Sequence, residues 1–297
     1  MRAVAVGIRA RRHWHPLDAV LFPAGFFRLK DSFGPFDIAQ RMERLVEHDI
    51  SAVITRAARS IEELSNGVLL VLGIDTPAVS RHWNGDQLVV VFNANGPVTC
   101  LRKIFPCHGD TDSEAFLPFL VHGHDLKLRQ RMLELPSGGK AIVDVCYDAF
   151  LWAELRRPSA SKRAALRYLA RGGRPRKLRS RERDALFTDL TQQQKRLEPR
   201  VHLVALHGFR KPGRELYWQR HGLASASAAH GGALVVGAAH FKTTLPRPEQ
   251  SPLAAAGVPI EHLKEGGHRR AHHLAAVDSF YAGGAGSQRA LVRLFEA

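Results

Sequence analysis

Two kinds of apolar pattern alternate along the 297 residues: short continuous runs closed by Pro, Gly or Asn, and longer stretches in which apolar residues recur every three or four positions. Arg2 to Ile8 (RAVAVGI) and Asp18 to Phe22 (DAVLF) read as the first two strands, joined by a link containing Pro16 that is too short for a full helical crossover. From Asp37, the residues Ile38, Met42, Leu45, Val46, Ile50, Val53, Ile54, Ile61 and Leu64 predict an amphipathic helix, broken once near Asp49 to Ser51. Gly67 opens a buried strand, VLLVLGI. Gln87 to Phe92 and Pro97 to Phe105 flank an Asn-Gly pair and predict a hairpin. Ala141 to Val145, Val201 to Leu206 and Ala233 to Ala239 are further strands, the last preceded by a helical segment from about Glu215 to Ala229. Beyond Pro246 the pattern weakens to a strand near His273 to Val277 and a short helix near Gln288 to Phe295. Strands alternating with helices predict an α/β fold.

Length and composition fit one α/β domain over residues 1–297, carrying a basic helical insertion at 156–198 and a C-terminal extension at 246–297. The three cysteines have neither C-x-x-C spacing nor an even count, so neither a disulfide framework nor a cysteine-rich zinc site is expected. The apolar N-terminus is too short for a signal peptide, and no stretch approaches the ~20 apolar residues of a membrane span. A cytoplasmic protein making no membrane contact is the expectation. The formal net charge of +15 is concentrated, with twelve Lys or Arg between Arg156 and Arg183 against the single acid Glu182.

Candidate chemistry centres on Cys146. The run Ala141 to Val145 delivers it into Tyr147-Asp148 and a helix-forming segment, which reads as strand, sharp turn, helix with the sulfur at the bend. A strand end holds a side chain rigidly, and a helix N-terminus lowers a thiol pKa, so the position suits a nucleophile. A small buried hydrophobe at a sheet end reads equally well there. Asp148 reads as a helix cap, and His108 and Asp110 as loop residues. Sixteen histidines, among them His122, His124, His268, His272 and His273, form no recognised metal motif, and neither metal nor cofactor is expected. Ser137 to Lys140 fails the spacing of a phosphate loop and reads as a turn.

Taken in order, LFPAG (21–25), RKIFP (102–106), VDVCYD (143–148) and the segment from Pro212 to Phe241, with Trp218 leading a helix before an apolar strand, resemble the nitrilase or carbon–nitrogen hydrolase superfamily. The resemblance implies a four-layer α-β-β-α sandwich, at least a homodimer, and a Glu, Lys, Cys triad acting on amide or nitrile C–N bonds of a small-molecule substrate. It maps the nucleophile to Cys146 and the lysine to Lys103, which would otherwise read as an exposed strand-end lysine. The chain departs from the pattern at Ala24, where the family's base is a glutamate. A methyl group cannot accept a proton, so the resemblance implies impaired catalysis, and even a pseudoenzyme, unless another carboxylate serves. Glu114 matches the family's second active-site glutamate by order and approximate spacing.

The rival reading is a non-catalytic binding protein whose basic insertion contacts nucleic acid or another polyanion, and a solvated basic surface is the plain alternative to it. Only Tyr168 interrupts the run, so backbone electrostatics rather than base stacking would drive binding. If the run binds, affinity for labelled RNA or DNA falls steeply between low and moderate salt as counterions are released, and replacing Arg174, Arg176 and Lys177 with alanine weakens it. Titrations at two ionic strengths check this, and no binding at low salt removes the rival reading.

Overall fold

Strands that are apolar at nearly every position need cover on both faces, and here two sheets cover one another. The structure, a computed structural model, describes residues 1–11, 17–29, 55, 57, 59, 67–78, 81, 84–103, 131–146, 148–149, 196–208, 222–240, 253–258, 274–283 and 290–296. The first sheet has five strands: β1 (Ala19–Leu21), β2 (Phe27–Arg28), β3 (Leu69–Asp75), β4 (Gln87–Asn93) and β5 (Gly96–Arg102). β1 and β2 both run parallel to β3, while β4 runs antiparallel to both β3 and β5. The second sheet also has five, in the order β10 (Ala254–Ala255), β9 (Leu234–His240), β8 (Val201–Gly208), β7 (Lys140–Val145) and β6 (Met132–Glu134). Its three central strands are parallel, and both edge strands are antiparallel.

Side-chain alternation sorts the core. Val71, Val89, Val91 and Leu101 of the first sheet share an apolar cluster with Val143, Val145, Leu203 and Ala205 of the second. The intervening residues Leu70, Leu72, Ile74, Leu88, Val90 and Phe92 belong to a separate cluster with Val4, Ala5 and Ile8 of α1 (Arg2–Arg9) and with Phe280. Helix α2 (Ala224–Ala229) packs beside β9, where Gly237 lies against Leu206 and Leu223.

Three expectations are corrected. Residues 2–9 form a helix rather than a strand: Val4, Ala5 and Ile8 are buried while Val6 is 49% exposed, and a strand would have buried Val4, Val6 and Ile8 together. The helix is seated on β11 (Asp278–Ala282), with the Arg11 guanidinium 3.9 Å from the Phe280 ring centroid and 3.2 Å from the Asp278 carboxylate. The strand expected near 273–277 is β11, a few residues later. The helix expected near 288–295 is a strand, β12 (Ala290–Leu294), whose backbone groups pair antiparallel with β11. The hairpin at Asn93 to Gly96 forms as expected, with strand pairing recorded as far as Arg102. In the 37–64 stretch, Thr55, Ala57 and Arg59 are helical and Ala57 is buried; the rest lies outside the described residues, as does the basic run 156–183. Among the described residues no helix is long and apolar enough to cross a membrane.

A buried polar network ties the sheets together. Arg131 donates from Nη1 to Asp144 at 2.6 Å, and from Nη2 to Asp148 at 2.9 Å and to the Arg102 carbonyl at 2.7 Å. Asp144 also meets His202 Nε2 at 2.8 Å, and Arg102 pairs with Asp86 at 2.8 Å. Burial opposes the Arg131 charge, but Asp148 and Asp144 outweigh it and raise the guanidinium pKa. Replacing Arg131 with alanine strands two buried carboxylates, so Arg131→Ala is expected to cost about 3–5 kcal/mol, read as a lowered urea midpoint. An unchanged midpoint would show that the network contributes nothing net.

Candidate active site

The polar residues that end the apolar strands gather at their carboxyl ends. β7 stops at Val145, and Cys146 follows with φ +49°, one of two described non-glycine residues in the left-handed region. Such a conformation costs an L-residue roughly 1–2 kcal/mol, so the surroundings must impose it. Arg131 does so, by binding the carboxylates of Asp144 and Asp148 on either side of the bend. Cys146 is buried, 8% exposed. Asp148 is therefore held by a guanidinium, where the sequence pointed to a helix cap.

Lys103 follows β5 and is fully buried, its N–H donating to the Gln87 carbonyl at 2.9 Å. That bond continues the β4–β5 ladder by one step, and Asp75 pairs with Gln87 on the other side. Asp75, Gln87 and Lys103 thus form a row across three strand ends, in phase with Val89 and Leu101, which pack against the second sheet. The Arg102 carbonyl that Arg131 grips immediately precedes Lys103, so one guanidinium links the lysine's backbone to the Cys146 bend.

Ala24 is also fully buried. Its N–H donates to the Leu206 carbonyl at 3.1 Å, and its own carbonyl accepts from His240 Nε2 at 2.8 Å. The loop rests directly on Gly73, where any β-carbon would collide with Pro23 and Ala24. Burial holds the His240 pKa below its ordinary value, so the ring is neutral when it donates to Ala24.

Two residues that the sequence reading did not single out complete the cluster. His207, near the end of β8, approaches both carboxylate oxygens of Asp75 through Nε2, at 2.7 and 2.9 Å, a contact that crosses from one sheet to the other. Gly25, at φ +67°, makes room for them, since a β-carbon there would sit 2.5 Å from Asp75 Oδ2 and 3.1 Å from His207 Nε2. Burial works against a charge on His207. Hydrogen bonding to Asp75 and to the Cys146 thiol, with the negative charge of both, prevails and raises the pKa from 6.5 to about 9. The legible signal was a lone polar residue closing each of two buried strands.

Glu114, His108, Asp110, Arg174, Arg176 and Lys177 lie outside the described residues, as do His122, His124, His268, His272 and His273. Among the described residues no group of three His, Cys, Asp or Glu is arranged to hold a metal. A groove of about 620 Å³ between α1 and β11, lined by Arg2, Val6, Arg11, Phe280 and Tyr281, shares no residue with this cluster.

No family model matches the chain, and no curated protein does. Among solved structures, it is similar to an amidase from Nesterenkonia sp. at 14% identity, covering 80% of this chain and 67% of that one with a TM-score of 0.42. A variant of the Nesterenkonia AN1 amidase, described as belonging to the nitrilase superfamily, aligns at 13% identity over 80% of this chain and 69% of its own, with a TM-score of 0.39. A glutamine-dependent NAD+ synthetase from Acinetobacter baumannii aligns at 12% identity over 86% of this chain, with a TM-score of 0.42; the chain spans only 36% of that enzyme's length. At such low identity, the chemistry has to come from this chain's own side chains.

The raised His207 pKa has a consequence for stability. Folded protein holds this proton up to about pH 9, whereas an unfolded histidine releases it near 6.5. Between those values the native state binds more protons, so the contribution is complete below pH 6.5 and is lost as pH rises through 9. Unfolding midpoints of the natural chain should fall across that window more than those of His207→Gln; equal slopes would contradict the Asp75–His207 pairing.

Proposed function

We propose that this chain is a carbon–nitrogen hydrolase-like protein with a four-layer α-β-β-α sandwich, acting on amide or nitrile C–N bonds, or descended from enzymes that do, through a Cys146 thioester. The observation that carries the reading is the Cys146 bend: a cysteine forced to φ +49° at a strand end, clamped on both sides by Arg131. Strain of this kind is retained where the side chain must point in one direction.

The chemistry follows from the groups at hand. The Cys146 thiolate attacks the amide carbon, forming the C–S bond and moving the carbonyl electron pair to oxygen. The Lys103 ammonium is the group assigned to stabilise that oxyanion, and its burial would strengthen the effect. Collapse expels the amine, which needs a proton, and leaves the acyl group on sulfur. Water then releases the acid. Ala24 offers no proton acceptor for either transfer, so a chain relying on Lys103 and Cys146 alone would be an impaired catalyst.

A panel of small primary amides tests the proposal, with hydroxylamine added to trap any thioester as a hydroxamate. The natural chain should form acyl adducts on Cys146, detectable by intact mass, and Cys146→Ala should form none. Hydrolysis surviving in Cys146→Ala would remove the nucleophile assignment.

A further inference from the structure

The missing glutamate leaves a question of proton transfer, and the geometry around Ala24 answers it. We propose that His207 is the acid–base partner of Cys146, oriented by Asp75, so that a cysteine–histidine–aspartate relay replaces the absent carboxylate at position 24. The adjacent parallel strands β7 and β8 are in register at Val145 and Ala205, so Cys146 follows level with Leu206, one residue before His207, and the Cys146 thiol acts on the His207 ring by hydrogen bonding and charge. Asp75 takes Nε2 of the ring. Nδ1 is buried, and no nitrogen or oxygen of the described residues bonds to it, which leaves that atom for the sulfur. Gly25 lines the space the imidazole and carboxylate occupy.

The charged and titratable groups facing His207 come from neighbouring strands of both sheets. Asp75 from β3 favours the imidazolium, and so does Cys146 as thiolate, following β7. His240 from β9 and Arg28 from β2 lie on the same side; His240 is held neutral, and Arg28 adds positive charge near it.

The thiol proton passes from Cys146 to His207, giving a thiolate beside an imidazolium. After attack on the amide carbon, the imidazolium gives its proton to the departing nitrogen as the C–N bond breaks, and the ring becomes neutral. Neutral His207 then removes a proton from water as the hydroxyl adds to the thioester carbon. Collapse of that adduct breaks the C–S bond, releases the acid and expels sulfur as thiolate, which restores the thiolate–imidazolium pair with no oxidant or reductant required. In this relay His207 exchanges its proton with the reacting sulfur and is catalytic; Asp75 positions it.

The substrate steps rest on the amide-hydrolase reading, but the relay itself does not, and the experiment separates them. Cys146 alkylation by iodoacetamide is followed by intact mass and peptide mapping from pH 5 to 10, in the natural chain, His207→Gln and Asp75→Asn, with Cys146→Ser to subtract Cys100 and Cys107. An ordinary thiol titrates near ~8.5. The natural chain should alkylate with a midpoint well below that. His207→Gln should move the midpoint to that of an ordinary thiol or above, and Asp75→Asn should move it part of the way. Where amide turnover is measurable, His207→Gln should lower kcat about 10²–10⁴-fold. A natural midpoint at or above ~8.5 that neither substitution moves would overturn the relay. So would amide turnover that depends on Cys146 and persists unchanged in His207→Gln. A shifted midpoint with no amide turned over would uphold the relay and count against the substrate class. Because His207→Gln removes a contact between sheets, Asp75→Asn provides the second variant, and circular dichroism confirms the fold of both.

Discussion

One guanidinium fixes the geometry on which the candidate site depends. Arg131 binds the carboxylates before and after Cys146 and also the carbonyl that precedes Lys103. Two consequences follow from the charge itself. An apolar residue could fill the same volume but would leave Asp144 and Asp148 buried without compensation, which is the costly case. Nor could it impose direction, whereas a planar fork with fixed donors aims each carboxylate, and through them the bend that sets the Cys146 sulfur.

A second constraint acts between the sheets. Apolar packing along Val71, Val89, Val143 and Leu203 is nondirectional and allows small slides of one sheet over the other. The Asp75–His207 pair and the Ala24–Leu206 hydrogen bond are directional and cross the same gap at its polar end. Relative position is therefore set most tightly where the titratable groups gather. A site made from strand ends inherits this rigidity, as a site made from loops would not.

The sequence made the central strands legible because their apolar runs are continuous and bounded by Pro, Gly and Asn, and the two faces need no alternation to be recognised. It misled at residues 2–9, where alternating Ala and Val imitates a strand although helical spacing decides which side chains are buried. At residues 290–294 the local pattern fits either element, and pairing with β11 decides it. Cys146, Lys103 and Ala24 could be singled out because each sits inside a short local motif. Asp75 and His207 each close a buried strand, but their pairing was hidden, since 132 residues separate them and it arises only when two sheets face each other. Arg131 was hidden for the same reason: its partners are 13, 17 and 29 residues away.

The alanine at position 24 and the histidine at 207 are best understood as one arrangement. A glutamate at 24 would add a carboxylate beside Gly25, which already abuts Asp75 and the imidazole, and a single imidazolium cannot offset two adjacent negative charges as fully as one. The smaller residue keeps Asp75 as the sole carboxylate on the ring among the described residues. That choice also changes the order of proton transfers. A free glutamate, with a pKa near ~4.3, begins the cycle at neutral pH as a base. In the proposed relay His207, with its pKa raised to about 9, begins it as an acid, already holding the proton that a departing amine would require. Once that proton leaves, the ring is neutral at the moment when water must be activated. The two half-reactions therefore need opposite states of one side chain, and each half-reaction leaves behind the state that the other uses.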